Sequence, residues 1–421
     1  MLVIAYDHGA AAAAEIATAL AADTPLAFLV PRTDHTVQVR PLLEQLGTVV
    51  DLAGDDRDVA RVRALRPDGI VTYSEPMLRD TARIAAALGL PGHRPETVLL
   101  LTDKERQRRR LAQAGVDAVR HHPVHRPEDW AAALDAVGLP AVVKPLYGGG
   151  SRDTHLVRDE ETLARVAERH PAGMMVEEYL QGRPSLPYGD YVSVESLCAP
   201  DRITHVSVSG KFPMAPPFRE QGQFWPSALP PQDVAAVADL TTRALRALGV
   251  DFGVTHTEVK LTARGPRIIE VNGRLGGLVN EISRRAAGVD LIRLAGLRAT
   301  GKDDWAEPEP MDRVHFQYWG AGPAERCRLT GVEGGREARA VPGITAYRPI
   351  VKPGQWLFDG GMTCQLDMVC GEAASHREMF AVLDEALGRI AYDFRFEDGR
   401  TVRVAPPRPW SEAAGSASPQ V

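Results

Sequence analysis

The sequence predicts a multidomain protein of mixed α/β and α+β class, and three observations carry that prediction. Its 421 residues exceed what one small core organises, because domains of roughly 100 to 200 residues suggest about three units. Over residues 1–100, short apolar runs alternate with helical stretches, the pattern of a Rossmann-like parallel sheet with crossover helices. Beyond that, strand-like runs recur, two of them as an apparent hairpin, before a mainly β-type C-terminal segment.

In order, the first part reads as "LVIAYD", an Ala-rich helix, "PLAFLVP", a second helix, "TVVDL", then "DGIVTYSE" followed by the helix "MLRDTARIAAALGLPG". No GxGxxG follows the first strand, so a dinucleotide site is not supported. Glu75 falls at the carboxyl end of a strand, where ligands of such sheets gather, although an exposed loop acid explains it equally well. From Thr102 a helix runs to Gly115. The helix "PEDWAAALDAVG", the strand "PAVVKPL", the glycine loop "YGGGSRD", the strand "THLVRD" and the helix "EETLARVAERH" follow. "GMMVEEYL" and "DYVSVESLC" are strands on either side of a Pro/Gly-rich link. Residues 209–230, rich in proline and without periodicity, read as one long loop, and such loops are usually functional. A further helix leads to "THTEVKLT" and "PRIIEVN"; a break near "GKDDWAEPEP" precedes the extension 306–405, and 406–421 reads as a frayed tail.

Composition excludes several classes of function. A net charge of −6 with both signs interspersed gives no reason to expect nucleic acid as a partner. The one basic run, Arg106 to Arg110, reads as a solvated helix face. The four cysteines, Cys198, Cys327, Cys364 and Cys370, form no CxxC pair, so neither a cysteine-built zinc site nor a disulfide framework is indicated. A reducing cytoplasm is therefore the default location. The opening segment lacks a basic n-region, and nothing approaches the roughly 20 apolar residues of a membrane span.

The chemistry gathers on "HTEVKL" and "RIIEVNGRLGG". Strand alternation puts Glu270, Asn272 and Arg274 on one face while Ile269 and Val271 point to the other. With a three-residue turn, Ala263, Arg264 and Gly265, Glu258 falls opposite Glu270. Like charges directly opposed destabilise a sheet. A divalent cation between them removes the conflict, and hard Mg²⁺ suits carboxylate and carbonyl oxygens, with Asn272 adding an amide oxygen. A two-residue turn would separate the acids and leave a solvated face, so both readings stand here.

The glycine loop follows Lys144 closely, and its N–H groups could cradle phosphate oxygens beside that lysine. It lacks the Walker order, and an ordinary hairpin turn explains it too. Glu177, Glu178, Tyr179 and Leu180 end a strand whose backbone is free to pair with an adenine edge, or is simply a strand end. Lys104 follows Asp103 at a helix start, where an acid is the preferred cap.

In this order, Lys104, Lys144 with the glycine loop, "EEYL", a long loop, then Glu258 and "EVNGR" resemble the ATP-grasp superfamily over about residues 1 to 300. "HTEVKL", "RIIEVNGRLGG", the loop "KFPMAPPFREQG" and the C-terminal strand-helix extension look like the L-amino-acid ligases. The resemblance implies an N-terminal α/β domain over 1–100 and an ATP-grasp fold over 101–305 whose lid subdomain is 130–185. A β-rich lid-like extension over 306–405 follows. It implies ATP and Mg²⁺ as cofactors, with Mn²⁺ as a substitute. Lys104 and Lys144 match the phosphate-contacting lysines, and Gly148, Gly149, Gly150 and Ser151 match the loop that closes over them. Glu177, Glu178, Tyr179 and Leu180 match the adenine-binding strand end, with Asp190 as candidate ribose acid. Glu258, Glu270 and Asn272 match the metal ligands, and Arg274 the arginine facing the transferred phosphoryl group.

That family joins a carboxylate to an amine through an acyl phosphate, releasing ADP and phosphate; its members are often homodimers. The expected partners are amino-acid or other small carboxylate substrates, without nucleic acid or membrane. Glu220, Gln223, Phe224 and Trp225 in the Pro-rich loop, with Gly276 and Gly277, are candidates for the substrate pocket. His256 shares the face of Glu258 and either touches substrate or is a buried, satisfied histidine. Lys211, Arg284 and Arg285 are further cations open to a substrate carboxylate or to a structural role. An ATP-dependent carboxylase or carbamoyl-phosphate-type enzyme, and an ATP-binding module without turnover, remain as alternatives.

Overall fold

The computed structural model describes residues 1–302, 305–357 and 364–410. Among these, the strands form four sheets. β1 (Leu2–Ala5), β2 (Leu26–Val30), β3 (Thr48–Asp51) and β4 (Gly69–Val71) lie in the order β3-β2-β1-β4, and all the pairings are parallel. "LVIA" and "LAFLV" are buried at every position because helices cover both faces, which is why they read as continuous apolar runs.

A small antiparallel sheet follows, of β5 (His121–Val124), β6 (Ala141–Pro145), β7 (His155–Val157) and β8 (Met174–Glu178), ordered β5-β8-β6-β7. The glycine loop joins β6 to β7, as expected. The rest of the chain contributes β9 (Tyr191–Cys198), β10 (Ile203–Lys211), β11 (Gly222–Trp225), β12 (Gly253–Thr262), β13 (Gly265–Asn272) and β14 (Val314–Ala321). Then come β15 (Cys327–Glu333), β16 (Ile344–Pro349), β17 (Trp356–Leu357), β18 (Gln365–Ala373), β19 (Ala391–Phe396) and β20 (Thr401–Val404).

The central sheet is eight-stranded, β13-β12-β9-β10-β11-β14-β18-β16. It runs without interruption from the hairpin into the segment read as a separate extension, since β14 pairs with β11 over Gly222–Trp225. The remaining sheet, β17-β15-β19-β20, belongs to the C-terminal part alone. No helix among the described residues is long and apolar enough to cross a membrane.

Two expectations are corrected here. The long loop 209–230 contains the end of β10 and all of β11, because a Pro-rich composition did not reveal that Gly210–Lys211 pair with Phe224–Gln223. The frayed tail does not begin at 406. Trp410 packs against Phe212, Tyr318 and Phe380, donates from Nε1 to Asp384 at 2.9 Å, and Tyr318 donates to the Pro407 carbonyl. Residues 411–421 of that tail lie outside the described residues.

Candidate active site

The hairpin places the two acids opposite each other, but by another route than the expected turn. Thr262 pairs with Gly265 and Lys260 with Arg267, so the turn holds only Ala263 and Arg264. That register would separate the acids, yet a bulge at Ile269 inserts one residue into β13, and beyond it Glu258 faces Glu270 and His256 faces Asn272. A bulge leaves backbone carbonyls without ladder partners. Here the Arg108 guanidinium donates to the Ile268 and Ile269 carbonyls at 2.7 and 2.8 Å.

Arg108 is a site residue that the sequence reading missed. Its helix, Lys104–Gln113, starts at the Asp103 cap and buries Lys104, Gln107, Arg108 and Leu111, one stripe at helical spacing. The run 106–110 is therefore not a solvated face throughout. Arg108 donates to both Glu177 oxygens, at 2.7 and 3.2 Å, and Lys144 Nζ lies 2.7 Å from the same carboxylate. Burial would raise the Glu177 pKa, but the two cations outweigh it and hold this carboxyl far below its ordinary range. Burial pushes the Lys144 pKa down against the attraction of Glu177.

The glycine loop lies over this cluster. Gly148 and Gly150 take φ of 110° and 70°, which a side chain would disfavour. Lys104 Nζ donates to the Gly148 carbonyl at 2.6 Å and sits 3.2 Å from Glu270. A Cβ added at Gly149 would lie 3.6 Å from the Arg274 guanidinium, so loop and arginine adjoin. Arg274 is fixed by the Leu275 carbonyl at 2.9 Å, by Asn272 Oδ1 at 3.4 Å and by Glu75 at 3.1 Å. Glu75 is thus no exposed loop acid: the N-terminal sheet delivers it into the site, and burial raises its pKa despite Arg274.

His256 is buried and satisfied by its neighbours, the second of the two readings offered for it. Its Nδ1 bonds Glu195 of β9, and its Nε2 is 3.5 Å from Glu258. Burial opposes its charge, yet Glu195 and Glu258 prevail and lift its pKa to about 9, while the Glu258 pKa falls, against burial, to about 2. Both carboxylates thus favour the charged form of the ring. A Cβ at Gly276 would meet His256 Nδ1 at 2.5 Å, and the Gly276 N–H donates to Glu195, so this glycine is a requirement of close packing. Gly277 is exposed, with open space around it.

At the end of β8, Glu177 faces the cations, whereas the Glu178 side chain pairs with Arg120 at 3.0 Å and so turns away from them. The Tyr179 N–H donates to the Pro140 carbonyl and is not free for a ligand. Asp190 lies 2.7 Å from Lys260, whose ammonium also sits over the Tyr179 ring, so the long link does bring Asp190 to the strand end. Leu180 follows at the same edge; Ser151 has a φ of 56° in the loop.

The expected substrate residues divide. Glu220 is held by Tyr191 and by the buried Lys211, at 3.3 and 3.4 Å. Gln223 is fully buried and donates to Gln317, which in turn donates to Glu281. Trp225 and Phe224 are corrected: strand alternation sends each into a hydrophobic core, Trp225 beside Leu197 and Val206, Phe224 beside Phe212 and Tyr318. Arg285 is corrected too, since it donates to the Gly371 and Phe316 carbonyls and ties the C-terminal strands to its helix. Arg284 is exposed beside Asp290. Glu195, also missed, had a signal: it is the one charged residue of its strand.

Comparisons with known proteins bear on the family and the fold. Residues 110–278 match a family described as the ATP-grasp domain. The chain is 27% identical over 284 residues to an alanine–anticapsin ligase of Bacillus subtilis (strain 168), covering 62% of this chain and 57% of that protein. It is 29% identical over 282 residues to carnosine synthase 1 of Gallus gallus, covering 61% and 30%. The chain thus spans little more than half of the first relative's length and less than a third of the second's. The crystal structure of an L-amino acid ligase from Bacillus licheniformis superposes with a TM-score of 0.75 at 22% identity, covering 92% of this chain and 97% of that one.

Proposed function

We propose that this chain, whose residues 110–278 match the ATP-grasp domain and whose fold is that of an L-amino acid ligase, joins a carboxylate to the amine of an amino-acid substrate while converting ATP to ADP and phosphate. The observation that carries the proposal is the hairpin face bearing Glu258, Glu270 and Asn272, with Arg274 just beyond its end beside the glycine loop, and with Lys104 bridging that loop and Glu270. Three hard oxygen donors on one face, two of them directly opposed carboxylates, fit Mg²⁺, and Mn²⁺ by the same chemistry. When bound, the metal supplies charge neutralisation to the nucleotide phosphates.

The rest of the mechanism belongs to side chains on the page. A carboxylate is a poor acyl donor because its oxygen leaves badly, and a phosphoryl group makes it a better one. Charge on the transferring phosphoryl oxygens needs fixed cations in place beforehand. Glu75 and Asn272 hold Arg274 for that role, and Lys104 and Lys144 hold the neighbouring phosphates under the loop Gly148–Ser151. Asp190 and the end of β8 receive the nucleoside, through Glu177 and the Leu180 backbone. His256, kept charged by Glu195, adds a cation beside Glu258, while Lys211 and Glu220 offer a paired cation and anion to the amino-acid substrate. A soluble cytoplasmic enzyme, homodimeric as such ligases often are, completes the reading.

The test is an ADP-release screen over pairs of amino acids, with hydroxylamine to trap an acyl phosphate. Release of AMP and pyrophosphate would overturn the mechanism. Release that depends on bicarbonate and on no amino acid would replace it with a carboxylase.

A further inference from the structure

Away from the hairpin face, the small subdomain assembles a donor set of its own. Asp153 ends the glycine loop with a φ of 49°, His155 opens β7, and His170 caps the helix Glu160–Arg169. One ring nitrogen of each histidine and a carboxylate oxygen of Asp153 lie within 4.8 Å of one another. The two rings are 5.4 Å apart, and His170 Nε2 is 3.8 Å from Asp153. Nε2 of both histidines is shielded from solvent without a hydrogen-bond partner. Two such orphans in one place call for an explanation, because an unsatisfied buried polar group costs about 1 to 3 kcal/mol.

We propose that Asp153, His155 and His170 bind a divalent transition metal, with Zn²⁺ the ion best suited to two imidazoles and one carboxylate. The ion would draw its ligands together, since zinc sits about 2.0 to 2.2 Å from nitrogen and oxygen donors. It satisfies both orphan nitrogens and fastens the trailing end of the glycine loop to β7 and to the helix behind it. Gly148 to Ser151 stay outside the clasp. The charge of Arg169, which is felt at His155, opposes the ion, and that of Asp153 offsets it. None of the three side chains belongs to the hairpin face, so this ion is separate from the Mg²⁺ of the proposed reaction.

The test uses the full chain, stripped with a chelator, dialysed, and titrated with Co²⁺ alone in the absence of nucleotide. The expected result is one equivalent bound with the intense visible absorption of a low-coordinate site, displaced by Zn²⁺. That absorption disappears in His155→Gln and in His170→Gln and persists in Glu270→Gln. Asp153→Asn, on the loop, weakens Co²⁺ binding by roughly tenfold or more, the least that losing a ligand should cost when outer partners already cost that much. Metal-free melting temperatures of the variants are compared with the wild type so that misfolding is recognised. Absence of the absorption in the wild type, its survival in a folded His155→Gln protein, or its loss in Glu270→Gln alone would overturn the proposal.

Discussion

Arg108 grips Glu177 with two nitrogens, at 2.7 and 3.2 Å, and both side chains are buried. The same guanidinium satisfies the carbonyls of the bulge that sets Glu258 against Glu270, so one side chain serves the proposed nucleotide site and the register of the metal face. Arg108→Met leaves Glu177 with one cation and the bulge carbonyls with none. Removing one partner of a buried pair costs about 3 to 5 kcal/mol, and urea unfolding should show a loss of that size. A loss below about 1 kcal/mol would mean that the bulge holds itself.

Glu177 also predicts a pH dependence. A carboxyl whose pKa is depressed on folding adds stability that is fully present above its unfolded value of 4.5 and is lost as pH falls through the folded one. The difference in unfolding free energy between the wild type and Glu177→Gln should therefore be flat between about pH 7 and pH 5 and shrink at lower pH. A difference that grows on acidification would contradict the assignment.

Arg274→Ala should keep ATP affinity and lower ADP release by roughly 10² to 10³, the usual cost of a donor aimed at developing charge. Isothermal titration with nucleotide, set beside turnover, separates the two. Unchanged turnover would remove Arg274 from the chemistry.

Glu270→Gln should raise the Mg²⁺ concentration needed for half-maximal turnover by about tenfold or more. The same change unpairs Lys104, so ATP binding without metal is the control. An unaltered Mg²⁺ requirement would leave Glu258 and Asn272 as the candidate ligands.

Part of the candidate site could be read from the residues because Glu258, Glu270 and Asn272 sit in short alternating strands that declare their common face, while Arg274 lies two residues past the end of β13 and reaches the same place through its bond to Asn272. The bulge could not be read. Ile269 resembles its neighbours, and the register depends on a helix more than 150 positions away in sequence. Arg108 was hidden for a related reason: Lys104, Gln107 and Arg108 form a buried stripe that is polar, and hydrophobic periodicity is blind to such a stripe. Trp225 and Phe224 were misassigned because β11 looked like loop, and only its pairing with β10 and β14 fixes which side each ring takes. Trp410 lay in a stretch whose composition spoke for disorder, while one aromatic contact set outweighed that composition locally.

The unbroken central sheet limits how this protein could be re-engineered. Cutting the chain before β14 would strip β11 of its neighbour and expose a row of backbone donors and acceptors, an invitation to self-association. Grafting a foreign C-terminal segment to change substrate preference would have to reproduce that seam strand for strand. Selectivity in this architecture is better altered by single side chains than by exchange of parts.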